Sequence, residues 1–383
     1  MNKKLIAVVT SALLVSSVFT GCAGKKTTSG DTSKPIEIGA VLPLTGAISS
    51  FGQSSKNAID LLVEATNKSG GVLGRKLHIN YEDDANKPDS SVSALQKLIN
   101  DTKVTAIIGS VGSACAIPMG PIATQYKIPM ITATATNVQV TKGGEYVFRA
   151  CFIDPFQGQV VAKYATEDLK AKTASILYDV ANDYSKGLAE VFKADFIKDG
   201  GKVIDYKTYN TGDQDFNAQL TTIKGSNPDV LFLPDYYGTI GLITKQARSL
   251  GITSTFLGTD GWDSDKLVEV AGASINGGYF SNHYSPDDTA PEVVSFIKDY
   301  KAKYNATPDA LAALSYDAAK ILFDAIVKAG STDGAKIKDA MKATNGTFVS
   351  GSIKYDADRN PVKAAVMIKM VDGKQTFAKK VNP

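Results

Sequence analysis

The chain has 383 residues, with 42 Lys and Arg against 39 Asp and Glu, so its formal net charge is only +3. This near balance excludes the broad basic surface on which nucleic-acid binding depends. The length exceeds what one hydrophobic core comfortably supports, so we expect two lobes.

The first predicted element is an export signal. Basic residues begin the chain, residues 5–19 carry no charge, and small residues at 20 and 21 precede Cys22. The apolar run is shorter than the roughly 20 residues that a membrane-spanning helix needs, which favours cleavage. The segment FTGC resembles the lipobox of bacterial lipoproteins, although Phe19 stands where leucine is usual. This resemblance implies lipidation at Cys22, and the alternative is a secreted protein with an incidental cysteine.

The signal peptide is therefore predicted at 1–21, and a lipidated flexible tether of small, polar and basic residues at 22–35. Loss of Lys3 and Lys4 with the signal leaves 40 basic and 39 acidic residues, which lowers the net charge from +3 to +1. Cys115 and Cys151 could pair in an exported protein, but two separate buried thiols are the simpler interpretation.

From residue 36 onward, short apolar runs alternate with amphipathic stretches. The first round has strand patterns in IEIGAVLPL, KLHINYEDD, VTAIIG and PMITAT, with helix patterns at 54–68, 89–100 and 114–126. A second round follows residue 151, with strand patterns TASILYD, KVIDYKTYN, PDVLFLPD and TFLGTDGW and helix patterns at 156–169, 185–199, 216–224 and 240–250. Two such rounds predict two Rossmann-like α/β lobes with parallel sheets.

The pattern changes after GGYFSNHYS. Helices are predicted at 291–304, 311–329 and 333–344, and the end of the chain predicts strands with a hairpin turn at Asp372 and Gly373. These elements are too many for one lobe's crossovers, so we expect the chain to cross between lobes several times and form a hinge. The predicted amino-terminal lobe is 36–152 plus 284–347, and the carboxy-terminal lobe is 153–283 plus 348–383.

Ligands of open parallel sheets bind beyond the carboxyl ends of the strands, so the turns there are the candidate site. After VTAIIG, Gly109 and Gly112 permit a tight bend, and Ser113 stands where a helix begins, a position suited to an anion. After PMIT, Thr134 and Thr136 add hydroxyl groups. The alternative is that Ser113 only caps its helix and that the threonines only satisfy a turn.

The second round of strands and helices supplies further candidate site residues. Tyr184 precedes a helix, Tyr236 follows a strand, and Asp260 ends the strand of TFLGTDGW. A carboxylate and tyrosine rings suit a ligand ammonium group. Asp260 could instead be a turn residue, and we interpret Asp263 as the cap of the next helix.

From Ile36 to the end, the chain resembles the leucine, isoleucine and valine-binding family of ABC-importer receptors. The resemblance rests on these stretches in this order: IEIGAVLPLTGAISSFGQ, NKSGGVLGRKLHINYEDD, VTAIIGSVGSACAIP, IPMITATATN, FRACFIDPFQG, DYSKGLA and FLGTDGWDS. It implies the type I periplasmic-binding fold, in which two lobes close on a ligand through a multi-strand hinge.

The resemblance also implies roles for individual residues. Ser113 and Thr136 would hold the α-carboxylate of an amino acid, with main-chain help at Thr134 and Ala135, and Asp260 would take the α-ammonium. Pocket walls would come from further residues of the two lobes: Phe51, Val111, Gly112, Tyr184 and Tyr236. The aspartate at 260 replaces the family's usual glutamate, and differences at 111, 112 and 134 leave a polar or aromatic amino acid open beside a branched aliphatic one.

By the same resemblance, the protein is a monomeric receptor outside the cytoplasm, anchored to the outer membrane face or periplasmic, and it delivers its ligand to an ABC permease. We predict no enzymatic activity, cofactor, metal or nucleic-acid partner. A hydrolase is the weaker alternative, because only His78 and His283 could serve as imidazole bases and no GxSxG motif is present. A ligand-sensing receptor for another small carboxylate remains a second alternative.

Overall fold

The computed structural model describes residues 34–383. The predicted signal peptide, Cys22 and nearly all of the tether lie outside the described residues. The strands are β1 Ile36–Leu42, β2 Leu77–Asp83, β3 Ala106–Gly109, β4 Met130–Thr132, β5 Val147–Arg149, β6 Thr173–Asp179, β7 Lys202–Tyr209, β8 Val230–Phe232, β9 Thr255–Gly258, β10 Tyr279–Asn282, β11 Asn345–Phe348, β12 Gly351–Lys354, β13 Ala365–Val371 and β14 Lys374–Val381.

The helices alternate with these strands over most of the chain. They are α1 Ser49–Lys68, α2 Pro88–Lys97, α3 Ser113–Gln125, α4 Gln139–Lys142, α5 Asp154–Lys163, α6 Asp183–Lys198, α7 Asn217–Ser226, α8 Tyr237–Ser249, α9 Asp265–Ala271, α10 Pro291–Tyr304, α11 Ala310–Ala329 and α12 Gly334–Lys342. Short π-helical turns extend α2 and α5, at Leu98–Thr102 and Tyr164–Asp168.

Each of the two lobes is built on one sheet. The first sheet is parallel, with strand order β2-β1-β3-β4-β5. The second has the order β14-β13-β10-β9-β8-β6-β7 and is parallel except for β13 and β14, which run antiparallel at one edge. Central strands such as β3 and β8 are buried throughout, because helices cover both faces of a parallel sheet. The predicted fold class is confirmed.

Three segments connect the lobes. The first follows β5 at 151–153, and the second follows β10 at 283–285. The hairpin of β11 and β12 stays with the first lobe, since the Tyr355 hydroxyl donates to the Arg149 carbonyl and Arg359 donates to the carbonyl of Val147. We therefore infer that the third crossing lies near Lys363, where the sequence had suggested 348.

Most predicted elements agree with the structure to within a few residues. The helix predicted at 291–304 has those bounds, and the predicted hairpin turn has positive φ at both Asp372 (48°) and Gly373 (73°). The sequence missed β5, whose three residues are too few for a periodic signal. The hairpin predicted at the end of the chain is the antiparallel pair β13 and β14 at the edge of the second sheet.

Cys115 and Cys151 are separate, buried, free thiols. Burial raises the pKa of Cys151 to about 12, so this thiol stays protonated and unreactive near neutral pH. Between residues 34 and 383, no helix combines the length and the apolar character that crossing a bilayer would demand.

Candidate functional site

A small cavity lies between the lobes, beyond the carboxyl ends of the strands. It contains about 260 Å³ of space between atoms, and a water-sized sphere has little freedom inside it. Seven of the ten predicted ligand residues line it, joined by Gly261 and Leu311: Phe51, Val111, Ser113, Thr134, Tyr184, Tyr236 and Asp260. Ser113, Thr134, Tyr184, Tyr236 and Asp260 were predicted from turns that follow strands, and Phe51 and Val111 from the family resemblance; Ala135, Thr136 and Gly112 do not line the cavity.

The first-lobe wall begins at the amino terminus of α3. Gly112 occupies the cap position and Ser113 is the first helical residue, so the alternative that Ser113 merely caps its helix is wrong. The Ser113 hydroxyl accepts from the Asn137 amide at 3.2 Å. Amide groups in the first helical turn have no intrahelical acceptor, so this end of α3 presents donors and a positive dipole end to an anion.

The loop after β4 completes this wall. Thr134 donates its hydroxyl to the Val111 carbonyl at 2.9 Å, whereas the Thr136 hydroxyl is fully buried and has no hydrogen-bond partner in the described chain. The Ala135 amide donates to the Thr132 hydroxyl at 3.1 Å. Thr136 does not itself line the cavity, and its side chain lies close to the Asp154 carboxyl group.

A buried arginine supports the same loop from behind. Arg149 is fully buried, and its guanidinium donates to the carbonyls of Ala135 (2.8 Å) and Asn137 (2.9 Å). These bonds fix the path of the loop between the two residues and keep both carbonyls turned away from the cavity.

Two parallel tyrosine rings form the centre of the second-lobe wall. The rings of Tyr184 and Tyr236 stack with centroids 5.1 Å apart and planes within 2°. Tyr236 also meets Phe51 of the first lobe edge to face at 6.2 Å. The Tyr184 hydroxyl donates to Asp260 at 2.7 Å and accepts from the Gly261 amide at 3.0 Å. This wall joins an apolar, aromatic surface to an acidic end.

Asp260 is the acid of that end, and protein donors hold both of its carboxylate oxygens. Oδ1 accepts from Gln157 (2.8 Å) and Tyr184, and Oδ2 pairs with His283 Nε2 at 2.9 Å. His283 stacks on Phe152 with centroids 3.6 Å apart. Burial lowers the pKa of His283, so the neutral ring donates its Nε2 proton to Asp260. His283 is therefore a positioning residue, where the sequence indicated only a segment between lobes.

The expected role of Asp263 is wrong. Ser264 caps α9 through its side chain, while Asp263 reaches across the cleft and accepts from the Ala310 amide at 2.7 Å. Ala310 begins α11 of the first lobe, and a carboxylate there complements the helix dipole. Asp263 thus links the two lobes.

Further contacts show that the cleft is closed. The Asn137 side chain donates to the Asp183 carbonyl at 2.9 Å, and the hydroxyls of Ser50 and Ser264 lie 3.1 Å apart. A Cβ at Gly112 would lie 2.4 Å from Asn86 Oδ1 of the same lobe and 3.4 Å from the Tyr236 hydroxyl of the second lobe. A side chain at 112 would therefore clash first within the first lobe.

Sequence reasoning missed four residues of the site. Leu311 lines the cavity from the start of α11, while Asp154, Gln157 and His283 lie around the acidic end. None of the four follows a predicted strand, so a search of strand ends alone could not find them. The one available sequence signal was that Asp154, Gln157 and His283 are polar residues close to the two predicted crossings between the lobes.

Known proteins resemble the chain over nearly its whole described length. The family described as periplasmic binding protein matches residues 35–375. A Leu/Ile/Val-binding protein homolog of Brucella melitensis is 33% identical over 300 residues, which cover 78% of this chain and 80% of that protein.

Two solved structures are similar in fold and sequence. The leucine binding protein LivK of Thermotoga maritima has a TM-score of 0.88 and 38% identity, over 91% of this chain and 99% of that one. The branched-chain amino acid substrate-binding protein LivJ of Streptococcus pneumoniae, in complex with isoleucine, has a TM-score of 0.87 and 32% identity, over 91% and 100%.

Proposed function

The chain belongs to the periplasmic binding protein family, and we propose that it is the extracytoplasmic receptor of an ABC importer, which captures a branched-chain amino acid between its lobes. One observation carries the proposal. An aromatic cavity has neutral hydroxyl and amide donors on its first-lobe wall and the Asp260 carboxylate on the facing wall. That arrangement suits the carboxylate and the ammonium of an amino acid, with its apolar side chain against the aromatic rings.

The proposed binding order follows from the two walls. The first lobe takes the ligand carboxylate at Ser113 and Thr136, and closure then brings Tyr184, Tyr236 and Asp260 against the ammonium and side chain. Burial of both charges is tolerable because each meets a partner. The relatives support this ligand class, because the Thermotoga maritima protein is named for leucine and the Streptococcus pneumoniae structure holds isoleucine.

The membrane anchor and the transport partner belong to the same proposal. Lipidation at Cys22 would keep a monomeric receptor on the outer membrane face, near its permease. Replacement of Cys22 by serine is expected to move the protein from the membrane fraction to the soluble fraction. An unchanged distribution would contradict the anchor and leave the ligand assignment standing.

A thermal-shift screen of the purified protein tests the ligand. Leucine, isoleucine and valine are expected to raise the melting temperature, with about 2.7 kcal/mol of stabilisation at a hundredfold excess over the dissociation constant. Glutamate and lysine serve as controls, because their charged side chains would be buried among Phe51, Tyr236 and Leu311. A response to small carboxylates alone would favour the alternative ligand class.

A further inference from the structure

The edge of the first sheet that lies opposite the cavity forms a surface of its own. Five loops precede the strands of this sheet: 34–35, 75–76, 101–105, 126–129 and 142–146. Because the five strands are parallel, these loops lie together at the amino-terminal ends of the strands. Neighbouring strands are about 4.8 Å apart, so the five loops start within roughly 20 Å of one another. We call this surface the basal face of the first lobe.

The basal face is positively charged. Its loops contain two acidic residues, Asp101 and Glu145, and six basic ones: Lys34, Arg75, Lys76, Lys103, Lys127 and Lys142. The net charge of these loops is therefore +4. The five lysines are exposed, and none of the six basic side chains forms an ion pair with residues 34–383. Glu145, in contrast, already pairs with Lys338 of α12 at 2.8 Å.

The corresponding face of the second lobe has no such excess. The loops before β6 to β10 are 169–172, 199–201, 227–229, 250–254 and 276–278. They contain Lys170 and Lys172 against Asp199 and Asp229, so their charges balance. The positive charge thus belongs to one lobe and is not a general property of this architecture.

An exposed aromatic ring lies among the basic residues. Tyr126 follows α3 directly, precedes Lys127 and is 48% exposed. Tyrosine is enriched at the boundary between lipid headgroups and water, because its ring contacts apolar groups while its hydroxyl stays hydrated. An exposed tyrosine surrounded by lysines suits contact with an anionic lipid surface.

The predicted anchor would bring this same face to a bilayer. Lys34 follows Cys22 by twelve positions, and a chain of that length reaches no more than roughly 43 Å. The intervening sequence adds Lys25 and Lys26 against Asp31. Because Lys34 belongs to the basal face, the anchor would connect to the described protein on that face.

We propose that the basal face of the first lobe binds anionic phospholipid headgroups and thereby holds the receptor in one orientation on the membrane. The strands run from this face toward the cavity, so the cleft points away from the bilayer and toward the solute. The inference goes beyond the proposed function, because a lipid at Cys22 would fix the position of the protein and not its orientation.

Vesicle flotation tests the lipid preference without a lipid anchor. The protein is the mature chain, residues 22–383, with Cys22→Ser. Vesicles of phosphatidylglycerol and phosphatidylcholine in equal amounts are expected to carry the protein, whereas vesicles of phosphatidylcholine alone are not. Binding is expected to fall as salt is added, because exposed charges more than about 8 Å apart are largely screened at physiological ionic strength.

A pair of matched triple variants tests the location. Joint replacement of Lys103, Lys127 and Lys142 by glutamine is expected to lower the partition coefficient at least about tenfold, since each basic residue near an anionic surface contributes about fivefold. The control replaces Lys170, Lys172 and Lys202 by glutamine, which removes the same charge from the corresponding face of the second lobe. This control is expected to change the partition coefficient by less than about twofold.

A fluorescence measurement identifies the face in contact. Trp262 is the single tryptophan of the chain and is fully buried, so a response in Tyr126→Trp comes from position 126. Its emission is expected to shift to shorter wavelength with phosphatidylglycerol vesicles and to stay unchanged with phosphatidylcholine vesicles.

Equal binding to the two kinds of vesicle, equal losses in the two triple variants, or an unshifted emission in Tyr126→Trp would overturn the inference. The thermal-shift screen uses no lipid, so its failure would overturn the proposed ligand and leave the basal face as a lipid-binding surface.

Discussion

In the proposed binding mode, the two walls of the cleft recognise opposite charges by different means. In this mode, the first-lobe wall takes the ligand carboxylate at Ser113 and the amino terminus of α3, and no basic side chain among residues 34–383 lines the cavity. The second-lobe wall concentrates ionisable groups, with Asp260 held by Gln157, Tyr184 and His283. Backbone dipoles suffice for an anion at a helix terminus, whereas on the second-lobe wall the Asp260 carboxylate supplies the charge that complements a cation.

This difference predicts unequal sensitivity to substitution. On the first-lobe wall, several neutral donors are proposed to bind the ligand carboxylate together, so removal of one donor leaves the others in place. The second wall depends on single charged side chains whose loss leaves a buried ammonium unpaired. The variants below test this contrast, from the largest expected effect to the smallest.

Asp260→Ala is expected to cause the largest loss, about 2 to 5 kcal/mol of binding free energy, because a buried charge loses its partner. Calorimetry with the amino acid that binds best measures the change. Asp205→Asn is the matched control, since Asp205 is also buried and hydrogen-bonded, to Ser175 on β6. Equal affinity in Asp260→Ala and in the wild type would remove Asp260 from the site.

Ser113→Ala is expected to cost about 1.5 to 3 kcal/mol, the usual contribution of a hydrogen bond to a charged group. The neighbouring amides of α3 remain, which keeps the loss below that of Asp260→Ala. Ser254→Ala is the control, because this buried serine donates to the Pro228 carbonyl away from the cavity. A larger loss at Ser113 than at Asp260 would reverse the comparison between the walls.

The two stacked tyrosines give the smallest expected effects, and the same Tyr→Phe substitution can be compared at both positions. Tyr184→Phe removes a donor to Asp260 and is expected to cost about 1 kcal/mol. Tyr236→Phe is expected to change affinity by less than about 0.5 kcal/mol, because the Tyr236 hydroxyl makes no hydrogen bond to residues 34–383 and the ring stacking is kept. Equal effects of the two substitutions would show that the aromatic faces, and not the hydroxyl group, determine binding.

The sequence predicted residues that follow strands better than residues that come from elsewhere. Ser113, Tyr236 and Asp260 were found because the ends of parallel strands meet at one edge of a sheet. Gln157 bonds to Asp260 across 103 positions of sequence, from a helix face that shows no local sign of this contact.

Asp263 shows the same limit for the fold. Its position just before α9 suggested that Asp263 caps that helix. Only the docking of the second lobe against α11 reveals that Asp263 accepts a hydrogen bond from the Ala310 amide. Local patterns thus predicted most strands, most helices and the hairpin at Asp372, whereas contacts between lobes depend on long-range packing that one sequence does not display.

The buried guanidinium of Arg149 has a consequence for the entropy of binding. Its bonds to the carbonyls of Ala135 and Asn137 can form only inside the folded first lobe, so the loop that carries Thr136 is ordered before any ligand arrives. The conformational entropy of that loop, about 1 to 2 kcal/mol per residue, is thereby lost during folding and not during capture. Preorganisation of this kind lets a small solute with few contacts bind tightly, since little of its binding energy is spent on ordering the protein.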